Sequence, residues 1–264
     1  MEFRTIVDIP KPDFEIQPFE EILFVGSCFA DEVSRRFRDN GFPVTSNPYG
    51  VMYNPVSILH TIERYDGTPR IVFLTLGTNH VYRLKSTGEI VDNCEKRPQN
   101  LFQEEELTVD ECVNVLQKTV SLLRQRRPDV QVVLTVSPIR YRKYGAHGSQ
   151  LSKATLLLAI AQVVARCSLY YFPSYEILLD ELRDYRFYAA DMLHPSEQAV
   201  DYIWERLVDT CFSSAAKKFL EEWHPLKQAL GHKPFHPESS EYQAFMDKTM
   251  LKVAELRKKY GDFT

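Results

Sequence analysis

The sequence lacks several features that would place it in a specialised class of protein. It has five cysteines among 264 residues, and none of them forms a Cys-x-x-Cys pair. An odd number of scattered cysteines indicates neither a disulfide framework nor a zinc site. No apolar run approaches the roughly 18 residues of a membrane span. No signal peptide is visible either, so we expect a reduced, cytoplasmic protein, although a mature secreted chain would look similar.

The sequence also lacks a basic excess. Its formal net charge is -4 at pH 7 and its pI is close to 6.0, whereas nucleic-acid-binding proteins are usually basic. With 44% hydrophobic and 26% charged residues, the composition is that of an ordinary globular protein. The pattern therefore predicts neither a nucleic-acid partner nor a metal or organic cofactor. The oligomeric state cannot be inferred from these features.

Short apolar runs alternate with helical periodicity along the first 213 residues. Strands are predicted at 22–26, 71–77, 130–136 and 169–172, with a hairpin at 81–84 and 90–91. Helices are predicted at 29–40, 108–127, 149–166 and 173–183, and another begins near Ser196. Strands that alternate with helices of this length indicate a parallel sheet covered on both faces. We therefore predict an α/β domain over residues 1–213.

The strand patterns disappear beyond about residue 213. Residues 214–231 and 238–260 have the mostly polar periodicity of two helices. We predict that residues 214–264 form a C-terminal helical extension packed on the α/β domain.

Polar side chains follow the predicted strands at the point where ligands bind in such folds, beyond the carboxyl ends. Ser27 follows the first strand and a glycine, so its hydroxyl could be exposed at the start of a helix. Serine needs a base to become nucleophilic. Asp191 and His194 are three residues apart, a spacing at which the carboxylate can orient the imidazole. These three residues are the predicted catalytic triad.

Two alternatives to this assignment remain open from the residues. Ser27 could act only as the N-cap of the following helix, since serine commonly caps helices. Cys28 could be the nucleophile instead, but adjacent side chains point in different directions, and we expect the thiol to be buried.

Several longer motifs resemble the GSCFA family, which is similar to the wider group of SGNH, or GDSL-like, hydrolases. The motifs that carry the resemblance are 26–30, 47–55, 75–78, 137–140, 150–154 and 191–196. The resemblance implies a three-layer α/β/α, flavodoxin-like fold. Between the second and third of these motifs, the connection 64–70 is shorter than is usual in the family. This shorter connection affects the expected substrate cleft.

The resemblance also implies a role for individual residues. Ser27 would be the nucleophile and, through its N–H, the first oxyanion donor. Gly50 would give a second backbone N–H, and Asn79 a side-chain N–H. His194 would be the general base and then the general acid, with Asp191 as its orienting partner.

Other side chains are weaker candidates for substrate binding. Tyr49 and Tyr53 flank Gly50 and could shape the pocket, and Arg140 could bind an anionic group or brace the sheet. His147 follows a strand and could face the cleft or belong to a structural loop. The remaining histidines considered are His80, a further cleft candidate, and three expected to face solvent, His224, His232 and His236.

Together these features predict hydrolysis or transfer of an ester-linked acyl group through an acyl-serine intermediate. The substrate would be a small-molecule or glycan ester, with an acylated carbohydrate as one candidate. The alternative is a non-catalytic module that binds a glycan or an acylated ligand on a hydrolase-like scaffold.

Overall fold

The computed structural model describes residues 4–92, 94, 97–261 and 263. Its centre is a five-stranded parallel sheet with the strand order β2-β1-β3-β7-β8. The strands are β1 (Ile22–Gly26), β2 (Val44–Ser46), β3 (Ile71–Leu76), β7 (Gln131–Val136) and β8 (Tyr170–Tyr171). This is the order of flavodoxin-like folds, in which the order of successive strands across the sheet reverses between β1 and β3.

Eight α-helices are found in the described part of the chain. They are α1 (Cys28–Asp39), α2 (Pro55–Arg64), α3 (Val109–Arg126), α4 (Gly145–Cys167), α5 (Ser174–Glu176), α6 (Glu197–Cys211), α7 (Ser214–Leu230) and α8 (Ser240–Tyr260). A π-helical segment, Ile177–Leu182, continues α5. A capping box begins α3, with Thr108 and Glu111 bonding reciprocally.

Alternating residues of the sheet face two hydrophobic layers. Phe24 and Phe73 stack at 4.4 Å between ring centroids and belong to the layer that includes α1 and α6. Leu23 and Leu74 face the opposite layer, which is formed with α2, α3 and α4. A strand that is buried on both faces must be apolar along its whole length, and β1 is. The predicted three-layer α/β/α fold is confirmed.

A second, antiparallel sheet is inserted between β3 and α3. It contains β4 (His80–Leu84), β5 (Ile90–Val91) and β6 (Phe102–Glu106), with β4 in the centre. The predicted hairpin corresponds to the β4–β5 pair. The strand β6 was not predicted, because its three consecutive glutamates give it no apolar run. This insertion lies beside the carboxyl end of β3.

The C-terminal helices share the hydrophobic layer of α1 and α6. Phe219 of α7 is fully buried and lies edge-on to Phe42 and Phe263. Val253 of α8 belongs to the same cluster. Separately, the segment Arg142–Cys167, which contains α4, is long and apolar enough to cross a membrane by length and composition alone, and its inward face packs in the α/β core.

Candidate active site

The junction between β1 and α1 is made by Gly26 and Ser27. Gly26 has a φ of +148°, and a Cβ atom there would lie 2.1 Å from the carbonyl oxygen of Thr75 on β3. Only glycine can occupy this position. Ser27 follows as the N-cap of α1, in an extended conformation, and its Oγ accepts a hydrogen bond from the Phe29 N–H at 3.3 Å. The chain can therefore turn sharply from the sheet edge into the helix.

The structure contradicts the assignment of Ser27 as nucleophile and oxyanion donor. Its side chain is fully buried, and Oγ lies 3.4 Å from the Thr75 hydroxyl as well as capping the helix. Its backbone N–H donates to Thr75, with 3.1 Å to both the carbonyl oxygen and Oγ1. The reason is geometric, because an N-cap side chain folds back over the first turn of its own helix.

Cys28, the first residue of α1, occupies the position predicted for the serine. Its Sγ lies 3.5 Å from Nε2 of His194, and the thiol is only partly buried. The expectation that this thiol would be buried is met only in part, because the side chain is half-buried. Adjacent residues at the junction do point in different directions, but the second residue, not the first, faces the histidine.

Asp191 and His194 are brought together as predicted. Nδ1 of His194 lies 2.6 Å from Oδ2 of Asp191, and Oδ1 accepts the backbone N–H groups of Leu193 and His194 at 2.9 and 3.0 Å. These hydrogen bonds hold the pKa of the Asp191 carboxyl well below its usual range. An ionised carboxylate can only accept, so Nδ1 carries the proton and the lone pair of Nε2 faces Cys28.

The thiol itself is not a preformed thiolate. Burial raises the pKa of Cys28 above its ordinary value of 9.0, and the negative charge of Asp31 adds to the rise. The Tyr53 hydroxyl lies beside the thiol and opposes the shift by hydrogen bonding. At neutral pH Cys28 is therefore protonated and needs a base to react.

Two buried groups behind the thiol were not predicted from the sequence. Tyr141 meets the Tyr53 ring edge to face at 6.1 Å, and its buried hydroxyl has no hydrogen-bond partner among the described residues. Lys153 is almost completely buried, and its Nζ donates to the carbonyl oxygens of Gly77 and Ser137 at 2.6 and 2.7 Å. These carbonyls follow β3 and β7, so Lys153 ties the two strand ends together.

Burial lowers the pKa of Lys153 to about 7. A neutral amine has two N–H donors, which matches the two carbonyl oxygens it contacts. The sequence does indicate that Lys153 is buried, because this lysine falls on the apolar face of α4.

The two remaining predicted oxyanion donors are committed elsewhere, which contradicts their assignment. The Gly50 N–H donates to the Asn47 carbonyl oxygen at 2.8 Å within a turn. Asn79 is buried, and its Nδ2 donates to the Leu107 carbonyl oxygen at 2.8 Å. The amide of Asn79 thus anchors the end of β6 near the start of α3 instead of facing the thiol.

The weaker substrate-binding candidates are dispersed. Tyr49 lies at the end of α2, where its hydroxyl donates to the Arg64 carbonyl oxygen and Arg64 covers its ring, so its predicted role is not supported. His147 is an exposed residue in the first turn of α4, with no contact to the triad shown. Arg140 is near the site, because its N–H donates to the Leu193 carbonyl oxygen at 3.0 Å.

Arg140 therefore braces the loop that carries His194. Its Nε donates to the Tyr188 hydroxyl at 3.1 Å, and both residues line a surface cavity of about 410 Å³. The described residues contain no group of three histidine, cysteine or acidic side chains arranged to hold a metal ion.

Solved structures with the same fold come from several bacteria. A GDSL-like protein from Parabacteroides merdae is 14% identical with a TM-score of 0.50, over 76% of this chain and 100% of that chain. A GDSL-like lipase from Bacteroides thetaiotaomicron is 15% identical with a TM-score of 0.47, over 77% and 92%. An acetylxylan esterase from Geobacillus stearothermophilus is 14% identical with a TM-score of 0.48, over 76% and 98%. At 14% identity, the likeness to the Parabacteroides protein shows the fold alone.

No curated protein sequence matches the chain. The GSCFA family matches residues 21–70 and 67–207, and the C-terminal domain of GSCFA domain proteins matches residues 223–264. The first two segments meet at the short connection between α2 and β3, and together the matches cover most of the chain. The predicted family is thus confirmed, and the protein belongs to the GSCFA family.

Proposed function

We propose that this chain is an acyl hydrolase or acyltransferase that works through an acyl-cysteine intermediate on Cys28. The observation that carries the proposal is the 3.5 Å contact between the Cys28 thiol and the histidine of an Asp191–His194 pair. A nucleophile, a base and a group that orients the base are thereby in line at the start of a helix.

In the first half-reaction, Nε2 of His194 accepts the thiol proton while Sγ attacks the carbonyl carbon of an ester. The tetrahedral intermediate collapses as the carbon–oxygen bond breaks, and the leaving alkoxide takes the proton from His194. The product is a thioester on Cys28 and a free alcohol. Water or a second acceptor then attacks the thioester while His194 takes its proton. The carbon–sulfur bond breaks, and the departing Cys28 thiolate recovers that proton from His194.

Asp191 supports both steps by remaining ionised. Its two backbone hydrogen bonds fix the carboxylate, and the carboxylate fixes the tautomer of His194. When His194 becomes an imidazolium, the neighbouring negative charge stabilises it.

We assign three donors to the oxyanion. The N–H of Cys28 is the first in α1, so it has no acceptor within the helix. The Tyr53 hydroxyl lies beside the thiol, and the Tyr141 hydroxyl is a buried donor without a partner among the described residues. These groups take the role that the sequence had assigned to Gly50 and Asn79.

The same geometry favours catalysis over the alternative of a passive binding module. His194 and Asp191 have side chains that are 43% and 44% exposed, so the base is open to substrate and to water. A histidine with a purely structural role would not need to present its free ring nitrogen to a thiol.

Trapping of the acyl-enzyme tests the proposal. The protein is mixed with p-nitrophenyl acetate, the early release of nitrophenol is recorded, and the modified residue is located by mass spectrometry. We expect an acetyl group on Cys28, which Cys28→Ala abolishes. Cys167→Ala is the matched control, because Cys167 is also partly buried but lies at the far end of α4.

Ser27→Ala separates the two nucleophile assignments. We expect this variant to retain acylation of Cys28 within a few-fold, because Ser27 acts as a helix cap. Acetylation of Ser27 in the wild-type protein would contradict the proposal. So would a folded Ser27→Ala variant in which Cys28 is no longer acylated.

A further inference from the structure

A cavity of about 360 Å³ opens between the carboxyl edge of the parallel sheet and the inserted antiparallel sheet. Its volume is at the lower end of the range for small-molecule sites, roughly 300–1,000 Å³. Six ring side chains contribute to its wall: Tyr53, His80, Tyr82, Phe102, Tyr141 and Tyr144. No role for this cavity follows from the triad alone.

The cavity begins beside the proposed nucleophile. Tyr53, which lies against the Cys28 thiol, is part of the cavity wall, and so is Tyr141 behind it. A group attached to a carbonyl carbon at Sγ would therefore reach the cavity by passing alongside Tyr53.

The position of His194 shows which part of a substrate would enter. His194 must reach the leaving oxygen to protonate it, so the alcohol lies on the side of the histidine. Neither Cys28 nor His194 is part of the cavity wall, but the wall residue Tyr53 lies against the Cys28 thiol. We therefore assign the cavity to the acyl side and the half-buried face of His194 to the alcohol.

The wall favours a flat group. His80 stacks on Tyr144 with 3.7 Å between ring centroids and an angle of 7°, and Tyr82 meets Phe102 edge to face. Aromatic side chains bind other rings through stacked and edge-to-face contacts.

Three charged side chains are part of the wall. Lys143 bonds to Glu104 at 2.7 Å, and Asp92 bonds to His60 at 2.6 Å and Arg64 at 2.8 Å. The third, Arg97, lies with its guanidinium 5.0 Å from the centroid of the Phe102 ring and adds a stacking surface to the wall.

We propose that this cavity is the acyl-group pocket of Cys28 and that it takes an acyl group carrying a planar ring. The pocket depends on the insertion, since β4 and β6 supply His80, Tyr82 and Phe102. This inference rests on the proposed function for the reaction, but the binding of a ring to the cavity does not require turnover.

Selectivity between acyl groups tests the pocket. The rate constant kcat/KM is measured with p-nitrophenyl acetate, octanoate and trans-cinnamate, so that the leaving group is constant. We expect cinnamate to exceed acetate and octanoate by about tenfold or more, as a well-filled hydrophobic pocket allows. Phe102→Leu should lower kcat/KM for cinnamate more than for acetate and so remove most of this preference. Phe235→Ala, which changes a fully exposed ring on the C-terminal extension, is the control.

Binding of the unreactive amide trans-cinnamamide is measured in parallel by calorimetry. Equal rates with all three esters, or a preference that Phe102→Leu leaves unchanged, would overturn the ring pocket while Cys28 remained the nucleophile. If no ester acylates Cys28, but cinnamamide binds in a manner that depends on Phe102, the pocket is supported and the proposed reaction is wrong. Absence of both acylation and binding overturns both.

Discussion

The thiol of Cys28 lies 3.5 Å from Nε2 of His194, whereas the hydroxyl of its neighbour Ser27 is turned back into the cap of α1. This difference of one residue decides which atom can react. It also separates two roles that the sequence alone combined, because capping now belongs to the serine and proposed nucleophilic chemistry to the cysteine. The predictions below test these roles and the supports of the site.

Ser27→Ala should reduce stability and leave the proposed chemistry nearly unchanged. Loss of a serine N-cap typically costs about 0.5–2 kcal/mol, so we expect the Tm measured by circular dichroism to fall by a few degrees. Ser239→Ala removes an equivalent cap from α8, far from the site, and should produce a comparable fall. A Ser27→Ala variant with unchanged Tm would contradict the capping role.

Alkylation of Cys28 should be slow at neutral pH. Because burial raises the pKa of the thiol above 9.0, the thiolate fraction is small and increases as the pH approaches and passes that value. The rate of iodoacetamide labelling at Cys28 should therefore rise with pH above neutrality and should be lower at pH 7 than in the unfolded protein. Rapid labelling in mild acid would instead indicate a preformed thiolate–imidazolium pair and would contradict general-base activation.

Lys153→Met should destabilise the protein in a manner that depends on pH. The pKa of Lys153 is lowered in the folded state to about 7 from 10.5, so the unfolded chain binds more protons between these values. The contribution of Lys153 to the free energy of unfolding is complete above pH 10.5 and is lost as the pH falls to 7.

Lys153→Met also leaves the carbonyl oxygens of Gly77 and Ser137 without their donor, at a cost of about 1–3 kcal/mol. The variant should therefore be less stable than the wild type by more at high pH than near neutrality, as measured by urea unfolding. A difference in free energy that does not change with pH would show that Lys153 is charged throughout.

Arg36 connects the two helices that follow the proposed catalytic residues. Its side chain is 7% exposed and bonds to Glu32 on α1 at 3.0 Å and to Glu197 and Asp201 on α6 at 2.5 and 2.9 Å. Since α1 begins at Cys28 and α6 begins shortly after His194, this ion pair network holds the thiol and the imidazole in register.

Arg36→Met should lower the free energy of unfolding by about 1–3 kcal/mol, as expected for charge-assisted hydrogen bonds. It should also slow acylation of Cys28. Arg35→Met is a matched control, because Arg35 bonds to the same two glutamates but is 40% exposed, and exposed pairs contribute only about 0–1 kcal/mol. Equal effects of the two substitutions would mean that Arg36 has no special positioning role.

Local patterns were sufficient to predict most of the α/β domain. The apolar runs of β1, β3 and β7 lie where a two-sided buried sheet requires them, and the capping box fixed the start of α3. The short strand β2 and the charged strand β6 were missed, because three residues and a run of glutamates carry no strand periodicity. Helix α2 was also missed, although Asn54 and Pro55 form a recognisable start signal.

The site was only partly determined by the sequence. The three-residue spacing of Asp191 and His194 allows their contact directly, since both lie in one short loop. The position of Asn79 could not be predicted from local spacing, because its amide donates to the carbonyl oxygen of Leu107, 28 residues further along the chain. Lys153 and Tyr141 are brought behind the site only through the packing of α4 and the loop after β7 against the sheet edge.

The sequence by itself determined the parallel sheet, the sharp turn at Gly26 and the pairing of an acid with a histidine, because each follows from local spacing or side-chain size. Only the tertiary structure decided which of two adjacent side chains meets that histidine. The backbone at the β1–α1 junction is held by Thr75 of β3, and this long-range contact turns Ser27 inward and leaves Cys28 facing the cleft. Side-chain direction at a cap depends on dihedral angles that neighbouring strands impose, which residue types alone do not specify.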